Sequence, residues 1–420
     1  MKRFMSIALC TALLGPILAS PSQAASRLRQ THPAKWVPNK INKANTYNEY
    51  PWFSHDGRLF FWTREEPIGS AQKLFVIYIQ NFDEVWNAPA EGPGVTLPPL
   101  DIGTYTEVDA VNDWVRDHFQ EALGQGEIEL RSYAICHEPG EEVPLNQPAQ
   151  NRWRYRFSIY LAARTPQMSA PVGELWRFHN LIADVDKTTF DITIRTAGSS
   201  QSPVVAPVFN PWIPTEQINE TEPYFSRDSR YFFWAGSYGF GGMGLESHYI
   251  GPYDGCSQLM QPPKPFQTLP TAAGGPRFYW KDQYAEPADT AYTNYHAMAE
   301  MGTGRTALIF TQCRAKLLGA RQSWCIDPIN DNLLSTTGFT ANGVPSNIFV
   351  DETNRNWTNR NLDINKPGRR VSHPAVAGPM NPADGTWLLF YMQGRRLRYA
   401  KVKHTICTIG MTPGSGPCPP

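Results

Sequence analysis

The 420-residue chain lacks an excess of either charge, because 38 Lys and Arg residues balance 38 Asp and Glu residues. This balance excludes a strongly basic nucleic-acid coat and an acidic solvating tail. Charged residues make up 18% of the chain and hydrophobic residues 41%, which excludes a disordered protein. The composition is therefore globular, and nucleic acid is not expected as a partner.

Long apolar runs are also lacking, apart from a short one at the N-terminus. Lys2 and Arg3 precede an apolar segment at 5–18, and small residues follow it at 22–24. This order is typical of a bacterial Sec-type signal peptide, here residues 1–24. An uncleaved membrane anchor is the alternative. No later stretch approaches the roughly 18 apolar residues of a membrane span. We therefore expect a periplasmic or secreted protein with no stable membrane insertion.

Closely spaced cysteine pairs are missing as well, since no CxxC motif occurs. This absence argues against zinc, and the sequence predicts neither a metal nor a cofactor. An even number of cysteines in an exported chain favours disulfides, and six allow 15 pairings. Cys313 with Cys325 in a hairpin and Cys407 with Cys418 at the C-terminal tail are attractive local pairs, which would leave Cys136 with Cys256. The cysteines that remain after the signal peptide are Cys136, Cys256, Cys313, Cys325, Cys407 and Cys418.

The sequence is rich in turn-forming residues, with 37 Pro and 32 Gly, and it contains an internal repeat. Residues 51–62 read PWFSHDGRLFFW and residues 223–234 read PYFSRDSRYFFW, with eight of the twelve positions identical. The pattern predicts that a Pro opens one strand, that an Asp-Gly or Asp-Ser pair makes a tight turn, and that an aromatic run forms the next strand. Ser54, Asp56 and their counterparts at 226 and 228 are expected to be turn residues.

Weaker copies of the repeat extend the pattern along the chain. A third copy lies at 374–391, a fourth at 295–312, and a fifth is suggested at 151–164. Further strands follow the copies at 73–80, 247–256, 323–331 and 395–403. Repeated strand units that cannot bury both faces alone are the signature of a β-propeller. The sequence therefore predicts an all-β, five- or six-bladed propeller over 47–420, preceded by a leader at 25–46.

One segment departs from the strand pattern. Apolar residues at 104–123 recur with the spacing of an amphipathic helix that Gly124 would end. We expect this helix to lie in an insertion at about 81–135 that packs on the side of the propeller. A separate α+β domain over about 80–200 is the alternative.

The strings EYPWFSHDGRLFFW and EPYFSRDSRYFFW resemble the repeat of the TolB-like β-propellers. This resemblance implies the fold and says little about function, because such propellers serve many roles. Residues 372–402 show a fainter resemblance to the closing blade of five-bladed glycosidases of the arabinanase and fructosidase type. Those enzymes carry a carboxylate just before a Pro at the start of an inner strand. The resemblance therefore implies Glu49 and Glu222 as the catalytic pair of a hydrolase.

The repeat geometry predicts where a site would form. Residues just before the shared Pro should converge on one mouth of the channel, which brings together Glu49, Glu222 and His373, with His296 and Glu300 from the fourth copy. Two carboxylates about 5–9.5 Å apart could hydrolyse a glycosidic bond. The alternative is that these groups bind a ligand or bond backbone N–H groups at the blade ends. Burial of either carboxylate in a blade interface would argue against hydrolysis.

Aromatic and basic residues supply the other candidates. In the Gly-rich segment 237–249, Tyr238 and Phe240 could stack on a ligand, although an ordinary turn between blades explains this segment too. Arg370 near His373, and the cluster at 395–398, could recognise an anionic ligand such as an acidic polysaccharide, or could simply protect strand edges. The tryptophans are expected mainly in the core.

These patterns lead to two functional hypotheses. The first is a non-catalytic, exported propeller that binds a glycan or protein partner at the channel mouth. The second is a glycoside hydrolase that acts on a polysaccharide through Glu49 and Glu222.

Overall fold

The fold is built almost entirely from antiparallel sheets. The computed structural model describes residues 24–89, 95–117, 132–137, 151–164, 173–196, 204–207, 218–225, 231–238, 246–254, 256, 258–259, 264–265, 289–301, 305–317, 323–325, 332–339, 345–349 and 371–408. The described residues form 24 strands and two short helices, arranged in five sheets that we call blades.

The chain enters through two strands that belong to the last blade, β1 (Ala24–Gln30) and β2 (Lys35–Trp36). Blade 1 contains β3 (Tyr47–Phe53), β4 (Leu59–Glu65), β5 (Lys73–Tyr78) and β6 (Thr106–Glu107). Helices α1 (Phe82–Trp86) and α2 (Asp109–Val115) flank β6 in the chain. Blade 2 contains β7 (Ser132–His137), β8 (Arg152–Arg164), β9 (Gly173–Asp186), β10 (Ile192–Thr196) and β11 (Val204–Pro207).

Three blades complete the ring. Blade 3 contains β12 (Ile218–Phe225), β13 (Tyr231–Tyr238), β14 (Glu246–Asp254), β15 (Gln258–Leu259) and β16 (Lys264–Pro265). Blade 4 contains β17 (Asp289–Met301), β18 (Arg305–Leu317), β19 (Ser323–Cys325), β20 (Asn332–Phe339) and β21 (Pro345–Phe349). Blade 5 contains β22 (Val371–Asn381), β23 (Thr386–Gln393) and β24 (Arg396–Thr408), together with β1 and β2.

The innermost strands form a closed ring. Contacts run from β3 to β7, β12, β17 and β22, and from β22 back to β3. Each of these strands lies at one edge of its sheet, and in blades 1 to 4 it is also the first strand of the blade in the chain. Sheets that radiate from a shared ring of inner strands define a β-propeller. The predicted all-β propeller is therefore confirmed, and the described residues form five blades.

The ring is closed by strands from both ends of the described chain. β1 pairs antiparallel with β24, from Ala24 opposite Thr408 to Gln30 opposite Val402. The segment predicted as a leader at 25–46 thus supplies outer strands to blade 5. Because β24 is covered along this length, closure removes a long free strand edge that would otherwise invite association with another chain.

Side chains from alternate positions of β4 fill two different blade interfaces. Phe60 and Trp62 lie in a core cluster with Phe390 and Tyr399 of blade 5. Their neighbours on the other face include Phe61, which lies in a second cluster with residues of blade 2. This division follows from the two-residue period of a strand. Burying each such side chain stabilises the fold by about 1.5–3 kcal/mol.

The insertion between β5 and β7 fills the edges of these interfaces. Phe82 and Val85 of α1 lie in the cluster shared with blade 5, and Val111 and Val115 of α2 lie in the cluster shared with blade 2. The helix predicted over 104–123 is observed at 109–115, and its predicted end lies outside the described residues. The strands β7 to β10, which fall within the alternative α+β domain over about 80–200, instead belong to blade 2. Neither described helix has the length and hydropathy needed to span a membrane.

The prediction that Pro51 opens a strand was wrong. Pro51 lies inside β3, where the pairing with β4 jumps from Glu49 to Trp52. A β-bulge accommodates Pro in a strand because the bulged residue does not need to donate a ladder hydrogen bond.

The expected turn role of Ser54 and Asp56 is confirmed. One oxygen of Asp56 accepts from Ser54 Oγ at 2.5 Å and from Arg58 N at 3.1 Å, while Ser54 Oγ accepts from Leu59 N at 2.9 Å. The counterparts at 226 and 228 lie outside the described residues. These bonds explain the Ser-x-Asp spacing of the first repeat as turn chemistry.

A disulfide joins Cys136 of blade 2 to Cys256 after β14 of blade 3, with 5.5 Å between the Cα atoms. This is the pair that remains when Cys313 is assigned to Cys325 and Cys407 to Cys418, as the sequence predicts. Cys325 lies opposite Ala315, two residues from Cys313, and the bond between these cysteines stays a prediction. Cys407 lies in β24, whereas Cys418 falls outside the described residues, so their pairing also stays a prediction.

Candidate functional site

Three inner strands carry the same irregularity at the same place. The pairing jumps from Glu49 to Trp52 in β3, from Thr221 to Tyr224 in β12 and from Ser372 to Ala375 in β22. Each jump encloses a residue followed by Pro, and the three enclosed residues are Tyr50, Glu222 and His373. These are therefore structurally equivalent positions on three inner strands of the ring.

Two of the bulge residues have a backbone conformation that side chains normally avoid. Tyr50 has φ 47° and His373 has φ 51°. Left-handed backbone at a residue other than Gly costs about 1–3 kcal/mol and concentrates at functional positions. A hydrogen bond from Tyr133 Oη of blade 2 to the Tyr50 carbonyl, 2.6 Å long, holds the first bulge in place.

The two bulges meet across the boundary between blades 1 and 5. The Tyr50 and His373 rings lie edge to face, with 4.2 Å between their centroids and an 84° angle between their planes. His373 is only 2% exposed, and Tyr50 is half-buried against the core between blades 1 and 2. The contact shows that the repeat positions converge at the ring, at least for these two blades.

Glu49 occupies a different environment. It pairs with Thr63, whose face of β4 also carries Phe61 and packs against blade 2. Its side chain is 8% exposed, and Gln72 Nε2 donates to Glu49 Oε2 at 2.5 Å. A carboxylate enclosed at a blade interface is poorly placed to meet a polymer, so this burial weighs against Glu49 as an accessible acid or base. Its pairing with Glu222 in catalysis stays a prediction.

The remaining predicted site residues are placed by their backbones or fall outside the description. Glu222 lies in β12 at a bulge, and His296 follows a bulge in β17, the strand that also contains Glu300. Tyr238 is the last residue of β13. Phe240 and Arg370 lie outside the described residues. The ligand-binding roles of these residues stay predictions.

The tryptophans divide between the core and half-buried positions. Trp62 and Trp387 are fully buried, as core packing predicts, and Trp52 is half-buried against the cluster between blades 1 and 2. Trp212 lies outside the described residues, and Trp234 is placed only as part of β13.

Sequence reasoning missed Tyr50, Gln72 and Tyr133. The signal for Tyr50 was present, because it precedes Pro51 as Glu222 precedes Pro223 and His373 precedes Pro374. No local signal marks Gln72 or Tyr133, whose roles depend on contacts made only after the chain folds.

Two cations of the first blade region converge on Tyr105. Lys43 Nζ donates to Tyr105 Oη at 2.9 Å, and the Arg64 guanidinium lies 4.6 Å from the centre of the Tyr105 ring. Hydrogen bonding from Lys43, followed by Arg64, lowers the pKa of Tyr105 below its ordinary value. Glu66 accepts from both cations, at 3.3 and 2.9 Å.

In the described part of the chain, no group of three or more His, Cys, Asp or Glu residues is placed to hold a metal.

Comparison with known proteins gives a resemblance in fold only. No family model and no curated protein matches the chain. Among solved structures, an endo-arabinase from Bacteroides thetaiotaomicron is 8% identical, with 88% of this chain and 96% of that chain covered at a TM-score of 0.37. A glycosyl hydrolase from Bacteroides ovatus is 12% identical, with 92% of each chain covered at a TM-score of 0.39.

A third similar structure is an α-L-arabinanase from Penicillium chrysogenum in complex with arabinobiose, 10% identical, with 88% of this chain and 85% of that chain covered at a TM-score of 0.35. Scores and identities at this level carry no argument about activity. The resemblance to propeller glycosidases is thus a structural likeness, and the TolB-like resemblance rests on the repeat sequence alone.

Proposed function

We propose that this protein binds a glycan beside the ring of inner strands, at the level where the three bulges lie. We call this place the axial site and define it by Tyr50, His373 and the equivalent position Glu222. The observation that carries the proposal is the pair of left-handed, non-glycine residues at equivalent bulges in ring contact. Strain maintained at two equivalent positions is expected where a side chain must be held in one orientation for binding.

The chemistry of the axial site suits a sugar. A Tyr ring offers an apolar face and an edge for a pyranose or furanose, and a carboxylate hydrogen-bonds hydroxyls. His373 is only 2% exposed, so its role is to hold the Tyr50 ring through their edge-to-face contact. Tyr50 and His373 belong to inner strands of the ring, and rigid strands position a binding group more accurately than loops do.

The same geometry favours binding without hydrolysis. Glycosidases generally need two carboxyl groups facing one bond. The three equivalent bulge positions supply one carboxylate, a Tyr and a His. Glu49 is enclosed on the side of blade 2 and bonded to Gln72. A binding site needs Tyr50 to be held in one orientation, which the contact with His373 provides.

The test is glycan binding by the mature chain, residues 25–420, measured by calorimetry with neutral and acidic oligosaccharides and with arabinobiose. Asn tolerates left-handed backbone, so Tyr50→Asn and His373→Asn remove the rings without imposing new strain. We expect each variant to weaken binding by about 10-fold or more, a loss of about 1.4 kcal/mol. Tyr50→Phe keeps the ring and should retain most of the affinity. Unchanged affinity in both folded Asn variants would overturn the proposal.

Hydrolysis is the second candidate, and the position of Glu222 favours it. Glu222 occupies a backbone bulge equivalent to those of Tyr50 and His373, so a Glu stands at the matching position of a third inner strand. The test is release of reducing sugar from the same glycans. Activity that is abolished in both Glu222→Gln and Glu49→Gln would establish a hydrolase and displace the binding proposal. Binding without any release of sugar would exclude hydrolysis of those glycans.

We further propose that the protein acts outside the cytoplasm, on the basis of the N-terminal segment and the disulfide. Fractionation of cells expressing the full chain tests this. Recovery from the periplasm or medium, with an N-terminus near residue 25, is the expected outcome. A full-length protein retained in the cytoplasm would contradict it.

A further inference from the structure

One large apolar side chain lies outside the core of the described residues. Trp36 of β2 is 46% exposed, whereas the other large hydrophobic side chains described are buried or half-buried. β2 is the outer edge of blade 5 at this level, where it pairs with β24. An indole at a sheet edge offers a flat apolar face to a ligand from solvent.

A guanidinium is held against this indole. Arg398 lies opposite Trp36 across the β2–β24 pair, and its Cζ is 4.4 Å from the centre of the Trp36 ring. Arg398 is fixed by donating to Gln393 Oε1 at 2.7 Å and to the Ala34 carbonyl at 2.5 Å. Both partners are uncharged, so the positive charge of Arg398 is oriented without being neutralised.

Two further arginines extend the positive charge. Arg395 lies in the turn between β23 and β24, Arg396 is the first residue of β24, and both are exposed. Among the described residues, no Asp or Glu forms an ion pair with Arg395, Arg396 or Arg398. We call the set of Trp36, Arg395, Arg396 and Arg398 the rim surface.

The rim surface lies at the same end of the propeller as the axial site. Ser372, next to the bulge residue His373, pairs with Met392, and the β23–β24 turn begins two residues later. The Arg395 carbonyl accepts from Asn48 N at 3.2 Å, which places this turn beside the start of β3. One face of the molecule therefore runs from the bulges, over the β23–β24 turn, to Trp36.

We propose that the rim surface binds an anionic glycan chain, bearing carboxylates or sulfates, whose end occupies the axial site. This inference rests on the proposed function, which gives the ligand as a glycan, and it adds that the glycan is negatively charged. Guanidinium groups pair with carboxylates and sulfates, and the indole stacks on a sugar ring. Protection of a sheet edge would explain exposed charges, but it would not require an arginine fixed flat against an exposed indole.

The experiment compares two ligands that differ only in charge, an oligogalacturonate and the same oligomer with its carboxylates methyl-esterified. Calorimetry with the mature chain should give about 10-fold tighter binding of the acidic oligomer, a ratio that shrinks as the salt concentration rises. Trp36→Ala and the double variant Arg395→Gln/Arg396→Gln should each weaken binding of the acidic oligomer by about 5-fold or more. Arg152→Gln removes an exposed charge from blade 2 and should have no effect.

The outcomes separate this inference from the proposed function. If rim variants bind the acidic oligomer normally while Tyr50→Asn does not, the rim inference fails and the axial site stands. If rim variants lose binding while the axial variants keep it, the rim surface stands and the axial proposal fails. Equal binding of a polyphosphate would overturn the rim inference, since it would show attraction of charge without recognition of sugar. Thermal melts confirm that each variant is folded, and Trp36→Tyr retains an aromatic face.

Discussion

Asp56 and Asp384 occupy corresponding turns of two repeats, and each uses one carboxylate oxygen for the turn and the other for a distant group. Asp384 Oδ1 accepts from Thr386 N at 3.0 Å, as Asp56 Oδ1 accepts from Arg58 N. The second oxygen of Asp56 accepts from Tyr155 Oη of blade 2 at 2.9 Å, and that of Asp384 accepts from Lys401 Nζ at 2.9 Å. A turn residue of the repeat thus also fixes neighbouring elements.

Lys401 should be the most costly of these partners to remove. Its side chain is fully buried and also donates to the carbonyls of Trp86, at 2.9 Å, and Ala88, at 2.5 Å. Lys401→Met leaves a carboxylate and two carbonyls without their donor. We expect a loss of about 3–5 kcal/mol in the free energy of unfolding, measured by urea titration. Lys403→Met on the same strand should cost less than about 0.5 kcal/mol, and equal losses would contradict this account.

His179 should make stability depend on pH. Burial, followed by the charge of Arg177, lowers the pKa of His179 to about 4 from an ordinary value of about 6.5. The unfolded chain therefore binds more protons than the folded chain between these values. The part of the free energy of unfolding that depends on a neutral His179 is therefore complete above pH about 6.5, and it is lost as the pH falls toward about 4.

Replacing the imidazole should remove that part of the pH profile. In His179→Gln, the free energy of unfolding should fall less than in the wild type between pH about 6.5 and 4. Below this window the two profiles should run parallel, because Asp184 and Asp384 still titrate. Burial alone would raise the pKa of these two carboxyls. Hydrogen bonds from Arg154 and Arg195 to Asp184 outweigh that effect, so the pKa of Asp184 lies below its ordinary value. Hydrogen bonds from Thr386 and Lys401 do the same for Asp384. Identical slopes across the window would refute the role of His179.

At the scale of elements, the β3–β4 turn requires glycine for two separate reasons. Gly57 has φ 80°, and a Cβ there would meet the Phe82 ring of α1 and lie 2.9 Å from Gly378 N. Gly69 has a similar φ of 88°, but a Cβ added there would have no atom within 4 Å. Comparing the two separates backbone strain from the close approach of α1 and blade 5.

Gly69→Ala should cost about 1–2 kcal/mol, the penalty of left-handed backbone alone. Gly57→Ala should cost about 1–3 kcal/mol more, because the added methyl also forces the Phe82 ring or the Gly378 backbone to move. Thermal and urea unfolding of both variants measure the difference. If Gly57→Ala is no less stable than Gly69→Ala, the Phe82 ring of α1 moves aside at little cost in free energy and the account is wrong.

The strands could be predicted because their signals are local. The Pro, the Asp-Gly turn and the aromatic run of residues 51–62 specify a hairpin within twelve residues. The repeat at 223–234 and the looser copy at 374–391 then imply a ring of such units. The bulge at Pro51 could not be read from the same string, because whether Pro opens a strand or interrupts one depends on how far the neighbouring strand extends.

The site was harder to predict because its geometry depends on register. The sequence marks Glu49 as a carboxylate near Pro51, but pairing with Thr63 turns it toward blade 2, and Tyr50 is the equivalent of His373. A shift of one residue moves a side chain to the other face of a strand. The fixing of Tyr50 by Tyr133, 83 residues away, follows only from the order of the blades.

At the scale of the whole molecule, a propeller needs a device that joins its ends. Here β1 supplies it by pairing with β24, while β2 pairs with the same strand nearer its start. The alternation of this ladder is set by the bond from Thr31 N to the Lys401 carbonyl, 2.9 Å long. In antiparallel pairing every second residue points its N–H at the partner strand. Arg29 therefore directs its N–H toward β24, and Leu28 directs its N–H away.

Proline substitution at these two neighbours tests whether closure stabilises the ring. Arg29→Pro removes a ladder donor and leaves the Lys403 carbonyl without it, whereas Leu28→Pro removes an N–H that faces away from β24. We expect Arg29→Pro to be less stable than Leu28→Pro by about 1–3 kcal/mol in urea unfolding. Because opening this pair exposes the edge of β24, Arg29→Pro should also associate in size-exclusion chromatography. If both variants melt alike and remain monomeric to the same extent, the β1–β24 pair does not hold the ring closed.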